Sequence, residues 1–163
     1  MRRDMGGLEA IFLILGLGAA GSLLVIDLRR MILPDSLNLL LAAAALGFHL
    51  ANDWFYVSLG EALGGAVFGA CFLYGLRQVY LQWRGIEAIG LGDVKFMVGA
   101  GLWIGVWGIP LLLAIASLAS LITIGCLAAM RLMPISGMTA RRFPFGPALC
   151  IALVAMCAER AIW

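Results

Sequence analysis

The chain has 163 residues, of which 64% are hydrophobic and 12% are charged, and its mean hydropathy is +1.06. These values lie outside the range of soluble domains and predict an integral membrane protein. The net charge of +2 is too small to indicate nucleic-acid binding. At this length the chain has room for about six spans of ~20 residues, which predicts one all-α membrane-embedded domain over residues 1–163.

Six apolar runs follow one another along the chain, and each is predicted to be a helix because a backbone in lipid must satisfy its own hydrogen bonds. Their approximate bounds are 8–26, 36–51, 57–76, 94–109, 110–130 and 145–162. The second and fourth runs are short for a complete span, so we expect them to stand nearly vertical or to begin in the headgroup region. The sequence therefore predicts a single bundle of about six transmembrane helices in a lipid bilayer.

The basic residues predict the orientation of this bundle. The loops after the first, third and fifth runs contain Arg29, Arg30, Arg77, Arg84, Lys95, Arg131, Arg141 and Arg142. The N-terminus and the other loops contain only Arg2, Arg3 and Arg160. By the positive-inside rule the first group faces the cytoplasm and both termini face outward, although Arg2 and Arg3 alone would favour the reverse.

Two acidic residues stand at the ends of apolar runs on the predicted cytoplasmic side. Asp27 closes the first run, and Asp93 lies at the mouth of the fourth, in the segment Gly-Leu-Gly-Asp-Val-Lys at 90–95. An ionised side chain at membrane depth costs roughly 2.5–3.5 kcal/mol, so an acid there indicates a functional site. Two carboxylates from two helices on one membrane face are the minimum that an aspartic peptidase needs.

Such a pair can activate water. Two neighbouring carboxylates cannot both ionise at low cost, so one keeps a proton while the other acts as base toward a shared water. The water attacks a peptide carbonyl, and the protonated partner donates to the developing oxyanion. Asp93 is predicted to precede a helix N-terminus, which favours negative charge, and Asp27 lies at a helix C-terminus. Our hypothesis is that Asp93 is the base and Asp27 the acid.

The two segments resemble those of the type IV prepilin leader peptidases, which are GxGD-type membrane aspartic peptidases. In residues 27–35 an Asp is followed by an apolar-Pro-Asp turn, and residues 90–97 contain the Gly-x-Gly-Asp motif with a Lys two positions later. Residues 101–105 continue the resemblance, and the Phe-Pro-Phe-Gly-Pro segment at 143–147 resembles the turn that opens the family's last span. The resemblance covers most of the chain in order.

The resemblance implies an aspartic endopeptidase of the cytoplasmic membrane. Its substrates would be prepilins or pilin-like pseudopilins, which carry a short positive leader ending in Gly ahead of an apolar helix. Cleavage would follow that Gly at the cytoplasmic face. The chain has no N-terminal segment with paired Cys-x-x-Cys motifs, so it is similar to the short, peptidase-only form, and N-methyltransferase activity is not expected. The sequence does not predict an oligomeric state.

Four residues near the two acids are candidates for support or substrate binding. Gly90 and Gly92 would either form a turn or let the backbone approach the substrate or a partner helix. Lys95 would be an interfacial anchor, or would steady a carboxylate or contact substrate. Asp35 is expected to cap the second helix through the N–H groups of its first turn, or to pair with the positive leader of a substrate.

No cofactor or metal is predicted, because the four cysteines form no Cys-x-x-Cys pair and the single histidine, His49, is expected to be an interface residue. Two alternatives stay open. Paired acids also serve in small ion- or proton-conducting membrane proteins, although no acid or His continues a path across the membrane here. A non-catalytic pilus assembly factor would bind pilins without cutting them and would survive the loss of either Asp.

Overall fold

A computed structural model describes residues 6–85, 87, 89–129 and 145–162. Within these residues the chain forms six α helices, joined between the fourth and fifth by a 3-10 turn at Val106–Gly108. The helices are α1 (Gly7–Arg30), α2 (Asp35–Ala51), α3 (Leu59–Arg84), α4 (Leu91–Ile104), α5 (Ile109–Ala129) and α6 (Gly146–Ile162). Each predicted apolar run therefore contains one α helix, although the fourth run, 94–109, is interrupted by Gly105 and the 3-10 turn.

The helices differ in length. Three are long and apolar enough to cross a membrane, namely α1, α3 and the segment 106–126 that includes most of α5. Helices α2 and α6 are shorter apolar helices, and α4 has only 14 residues. A helix of that length rises about 21 Å, less than the ~30 Å hydrocarbon core. The short second and fourth runs are thus short helices, as expected.

Local signals set the helix ends on either side of the candidate site. Helix α1 ends where Met31 adopts a left-handed conformation with a φ of 53°. Pro34 then precedes α2, which begins at Asp35. Helix α3 ends at Gly85 with a φ of 65°, a conformation that glycine adopts at little cost. These ends return the chain twice to the same side of the bundle.

Helix α4 lies at the centre of the bundle and packs against α2, α3 and α6. Its contact with α3 is made backbone to backbone, because a Cβ atom added to Gly65 would lie 2.6 Å from the carbonyl oxygen of Gly101. One turn along, Gly69 lies against Met97. Small residues allow such an approach where lipid supplies no hydrophobic drive for association.

The prediction that His49 is an interface residue is wrong, because its side chain is fully buried near the C-terminal end of α2. Its Nε2 atom lies 3.0 Å from the carbonyl oxygen of Leu102, and its ring stacks on Trp54 with centroids 5.5 Å apart. This polar contact ties α2 to α4 at the end of the bundle remote from the two acids.

Candidate active site

Asp27 lies in the last turn of α1 and is only 4% exposed. It follows Ala20 and Leu23 on the buried stripe of α1, at helical spacing, so its side chain points into the bundle. Its Oδ2 atom has no hydrogen-bond partner among the described residues. A buried polar atom without a partner is destabilising, which indicates that this carboxyl serves a purpose other than holding the fold.

Asp93 is the third residue of α4 and is 6% exposed. The structure corrects the prediction that it precedes the helix, because α4 begins two residues earlier at Leu91, with Gly90 as N-cap. Its carboxylate turns back to the backbone N–H of Gly90. Asp93 thus lies among the unpaired N–H groups of a helix N-terminus, where negative charge is favoured.

Gly146, the first residue of α6, brings the two acids together. A methyl group at this position would overlap Asp27 Oδ2 and lie 3.2 Å from Asp93 Oδ1. A single added carbon atom would therefore touch both carboxyl groups, so the two share one site and only glycine fits beside them. The segment 143–147 resembles a turn of the family, but its pattern does not predict Gly146 as a site residue.

A cavity of about 500 Å³ opens on the two carboxyl groups, and we call it the aspartate cavity. Its volume lies within the ~300–1,000 Å³ of ligand-binding pockets. Its lining comprises Asp27, Met31, Ile32, Leu33, Asp35, Arg77, Glu87, Gly90, Leu91, Gly92, Asp93, Lys95, Phe145 and Gly146. Every residue predicted for the site therefore lines one cavity. In the described part of the chain, no group of three or more His, Cys, Asp or Glu side chains could hold a metal ion.

Asp35 and Lys95 form an ion pair at the rim of this cavity. Lys95 Nζ donates to both carboxylate oxygens of Asp35, at 2.7 and 2.8 Å. The prediction that Asp35 caps α2 is wrong, because Pro34 holds the N-cap position without a side-chain hydrogen bond and the Asp35 carboxylate turns to Lys95 instead. Lys95 thus steadies a carboxylate, the alternative to its role as an interfacial anchor.

The two glycines of the motif differ in their surroundings. A Cβ atom at Gly92 would lie 3.0 Å from Leu33 Cδ1, so Gly92 allows α4 to approach the loop that joins α1 to α2. At Gly90 the nearest atom to an added Cβ would be Asp93 Oδ2, at an ordinary 3.6 Å. The φ of Gly90 is −70°, which any residue can adopt. Close approach, not turn formation, is therefore the role of Gly92.

Arg77 is a site residue that the sequence analysis missed. The third apolar run is predicted to end at residue 76, so the sequence indicates only a topology signal at Arg77. Helix α3 continues to Arg84, and the Arg77 side chain lines the aspartate cavity at 12% exposure. The signal that could have found it is a charge within a membrane helix, which marks functional sites.

The fold and site together define the class of protein. A bundle of apolar helices presents two carboxyl groups side by side, at the end where a cavity admits a ligand. This is the arrangement of a membrane aspartic peptidase, in which one carboxyl acts as base and the other as acid.

Sequence comparison gives the family. Residues 11–125 match the Type IV leader peptidase family, a family of aspartic peptidases, and the chain belongs to it.

Similar curated proteins bear the description prepilin leader peptidase/N-methyltransferase. The protein of Aeromonas salmonicida (strain A449) is 36% identical over 131 residues, covering 80% of this chain and 43% of the relative. That of Neisseria gonorrhoeae is 36% identical over 143 residues, covering 87% and 46%. That of Klebsiella pneumoniae is 38% identical over 116 residues, covering 71% and 47%. The chain spans less than half the length of these relatives. No solved structure matches the chain.

Proposed function

We propose that this protein is a membrane endopeptidase that removes the leader of type IV prepilins or pilin-like proteins by cutting after a Gly at the cytoplasmic face. Asp27 and Asp93 are its catalytic residues. The observation that carries this proposal is the position of Gly146 against both carboxyl groups at the aspartate cavity. Membership of the Type IV leader peptidase family supports the choice of substrate.

Each step of hydrolysis has a residue to perform it. Asp93, at the positive end of the α4 dipole, takes a proton from water as the water oxygen attacks the carbonyl carbon of the leader Gly. Asp27, at the negative end of α1, donates its proton to the carbonyl oxygen. When the tetrahedral intermediate collapses, the C–N bond breaks, Asp93 gives its proton to the leaving amine, and Asp27 takes back a proton from a hydroxyl of the intermediate as the carboxyl product forms. The products are the free leader and a mature pilin with a new N-terminus.

The charge distribution supports a cytoplasmic active site in a multi-pass protein of the cell membrane. Arg29, Arg30, Arg77 and Arg84 all lie toward the end of the bundle that holds the aspartate pair. Basic residues concentrate on the cytoplasmic side of membrane proteins. The other predicted topology signals, Arg2, Arg3, Arg131, Arg141 and Arg142, lie outside the described residues, as does the side chain of Arg160.

A cleavage assay tests the proposal. Membranes containing the wild type should cut a prepilin after the leader Gly, as read by N-terminal sequencing of the product. Asp27→Asn and Asp93→Asn should each lower the rate by about 10²-fold or more, because general acid–base catalysis contributes 10²–10⁴-fold. Asp53→Asn is the matched control, since Asp53 is an exposed acid in the α2–α3 loop with a positive φ that Asn also tolerates.

Two outcomes of this assay would contradict the proposal. Cleavage by both site variants at the wild-type rate would remove the catalytic assignment. No cleavage of several prepilins by the wild type would favour ion conduction or a non-catalytic assembly role instead. The mass of the product would also report on N-methylation, whose absence stays a prediction.

A further inference from the structure

The contact between α3 and α4 fixes the level of Arg77 relative to the aspartate pair. The two helices are antiparallel, and the close approaches of Gly65 to Gly101 and of Gly69 to Met97 define their register. Continuing by one turn places Leu73, which is buried, level with Asp93. The residue four positions further along α3 then lies about 6 Å beyond Asp93, toward the α3–α4 loop.

Arg77 is that residue, and its guanidinium is only partly used. Nη2 donates to Oε1 of Glu87 in the α3–α4 loop at 2.7 Å. The Nε atom is buried and has no hydrogen-bond acceptor within the part of the chain that the structure describes. A guanidinium carries five N–H donors in a fixed plane and cannot lose its charge, so a buried Nε without an acceptor costs free energy. The Arg77 side chain lines the aspartate cavity, so a substrate in the cavity would meet a guanidinium that is not fully paired.

We propose that Arg77 binds the substrate backbone, by donating to the carbonyl oxygen of the second residue before the leader Gly. This inference rests on the proposed function. In an extended peptide, carbonyl groups two residues apart point the same way and lie about 6.8 Å from each other. That spacing is close to the rise of about 6 Å that separates Arg77 from the level of Asp93. A peptide with its Gly carbonyl on the aspartate pair would present the earlier carbonyl to Arg77.

The ion pair with Glu87 suits this role. A positive leader would be repelled by an isolated Arg77 guanidinium, but the Glu87 carboxylate offsets that charge. Glu87 is 48% exposed, so it remains open to solvent on the leader side of the cavity, whereas the Arg77 side chain is 12% exposed. The pair is neutral overall, so it offers a hydrogen-bond donor without a net positive charge that would repel a basic peptide.

The first test compares Arg77→Met with the wild type in the kinetics of prepilin cleavage. Loss of a charged hydrogen bond made equally in the bound and transition states should raise KM by about 10- to 100-fold and leave kcat nearly unchanged. Arg77→Lys should recover only part of the loss, because an ammonium lacks the planar fork. Arg84→Met is the matched control, since Arg84 lies in the last turn of the same helix, is exposed, and does not line the cavity. Its KM should equal that of the wild type.

A fall in kcat at constant KM, or wild-type kinetics in Arg77→Met, would overturn the inference. Binding of a fluorescent leader peptide to Asp27→Asn protein tests the inference about Arg77 separately from the proposed function, because binding needs no cleavage. Arg77→Met in that background should weaken binding by the same factor. If the wild type never cuts prepilins but binds the leader peptide in a way that depends on Arg77, the proposed peptidase activity is wrong and the inference about Arg77 stands. Equal affinities with and without Arg77 would refute the inference alone.

Discussion

Gly146 shows how a residue without a functional group can allow two carboxyl groups to lie close together. An added methyl group has no free space between the two carboxyl groups, so either α6 must shift or the carboxyl groups must separate. Both outcomes break the proton sharing on which paired carboxyls depend. The constraint comes from close approach and not from a special backbone conformation.

We therefore expect Gly146→Ala to lower kcat by at least 10²-fold, because a misplacement of about 1 Å costs that much in oriented catalysis. The pH–rate profile should also change, since the two apparent pKa values belong to the coupled pair. Gly75→Ala in α3 is the control, as a Cβ atom there meets nothing within 4 Å. Wild-type kcat and an unaltered pH profile in Gly146→Ala would contradict the assignment.

Gly92 provides a second test at the residue scale. Gly92→Ala should displace Leu33 and lower the free energy of unfolding by about 1–3 kcal/mol, as other overpacking substitutions do. The midpoint of thermal unfolding and the cleavage activity should both fall. Leu33→Ala removes Cδ1, the atom nearest to the new methyl at 3.0 Å, together with Cγ, and leaves only Cβ at 3.2 Å. The double variant Leu33→Ala/Gly92→Ala should thus be more active than Gly92→Ala alone, measured in the same cleavage assay. Additive losses would show that Gly92 acts in another way.

Among single residues, the sequence predicts charged candidates for the site better than it predicts which side chains contact each other in the fold. Asp27 and Asp93 are predictable because an acid beside an apolar run has a high solvation cost, whatever the fold. Arg77 was missed because the apolar run ends before it although the helix does not. Lys95, the ion-pair partner of Asp35, is 60 residues away in the chain, so only the packing of α2 on α4 reveals this pair.

Helices α3 and α4 approach each other backbone to backbone at Gly65 and Gly101. A Cβ atom at Gly65 would lie 2.6–2.9 Å from three backbone atoms between Gly101 and Val106. Backbone cannot move aside as a flexible side chain can. This contact fixes the register that sets Arg77 one turn from Asp93.

Gly65→Ala should therefore destabilise the protein by about 1–3 kcal/mol and lower cleavage activity, measured by thermal unfolding in detergent and by product formation. Its neighbour supplies the control. A Cβ atom at Gly64 would come no closer than 3.9 Å to Val106, so Gly64→Ala should unfold at the wild-type temperature or slightly above it. Equal behaviour of the two variants would contradict the backbone contact.

The existence of the helices was predictable from hydropathy, but two boundaries were not. Helix α4 begins at Leu91 and not near residue 94, because Gly90 starts the helix and Asp93 occupies its first turn. Polar residues at the end of α3 reduce its hydropathy without breaking the helix, which continues until Gly85. Hydropathy measures burial in lipid, whereas helix ends depend on capping and backbone conformation.

At the scale of the whole molecule, the described helices bring both carboxyl groups to the same end of the bundle. The short helix α4 places Asp93 at that end, where the aspartate cavity connects the carboxyl groups with the loops after α1 and α3. The orientation of this end in the cell follows from the charge distribution and can be measured directly.

A protease recognition site inserted after Asp53, in the loop between α2 and α3, should be cut by protease added outside intact cells. The same site inserted after Gly85, in the α3–α4 loop, should be cut only after the membrane is opened. Both loops are exposed, so accessibility alone does not distinguish them. The reverse pattern would place the aspartate pair outside the cell.

The aspartate pair is divided between two parts of the chain, with Asp27 in the α1–α2 hairpin and Asp93 in the part that follows the exposed loop at Asp53. Helix α2 packs on α4, and α1 packs on α6, so the two parts meet through extensive helix contacts. From this division we expect the hairpin and the remainder, made as separate polypeptides in the same membrane, to reconstitute cleavage activity. A hairpin carrying Asp27→Asn would then act as a dominant-negative competitor, which offers a genetically encoded means of silencing the enzyme without a small molecule.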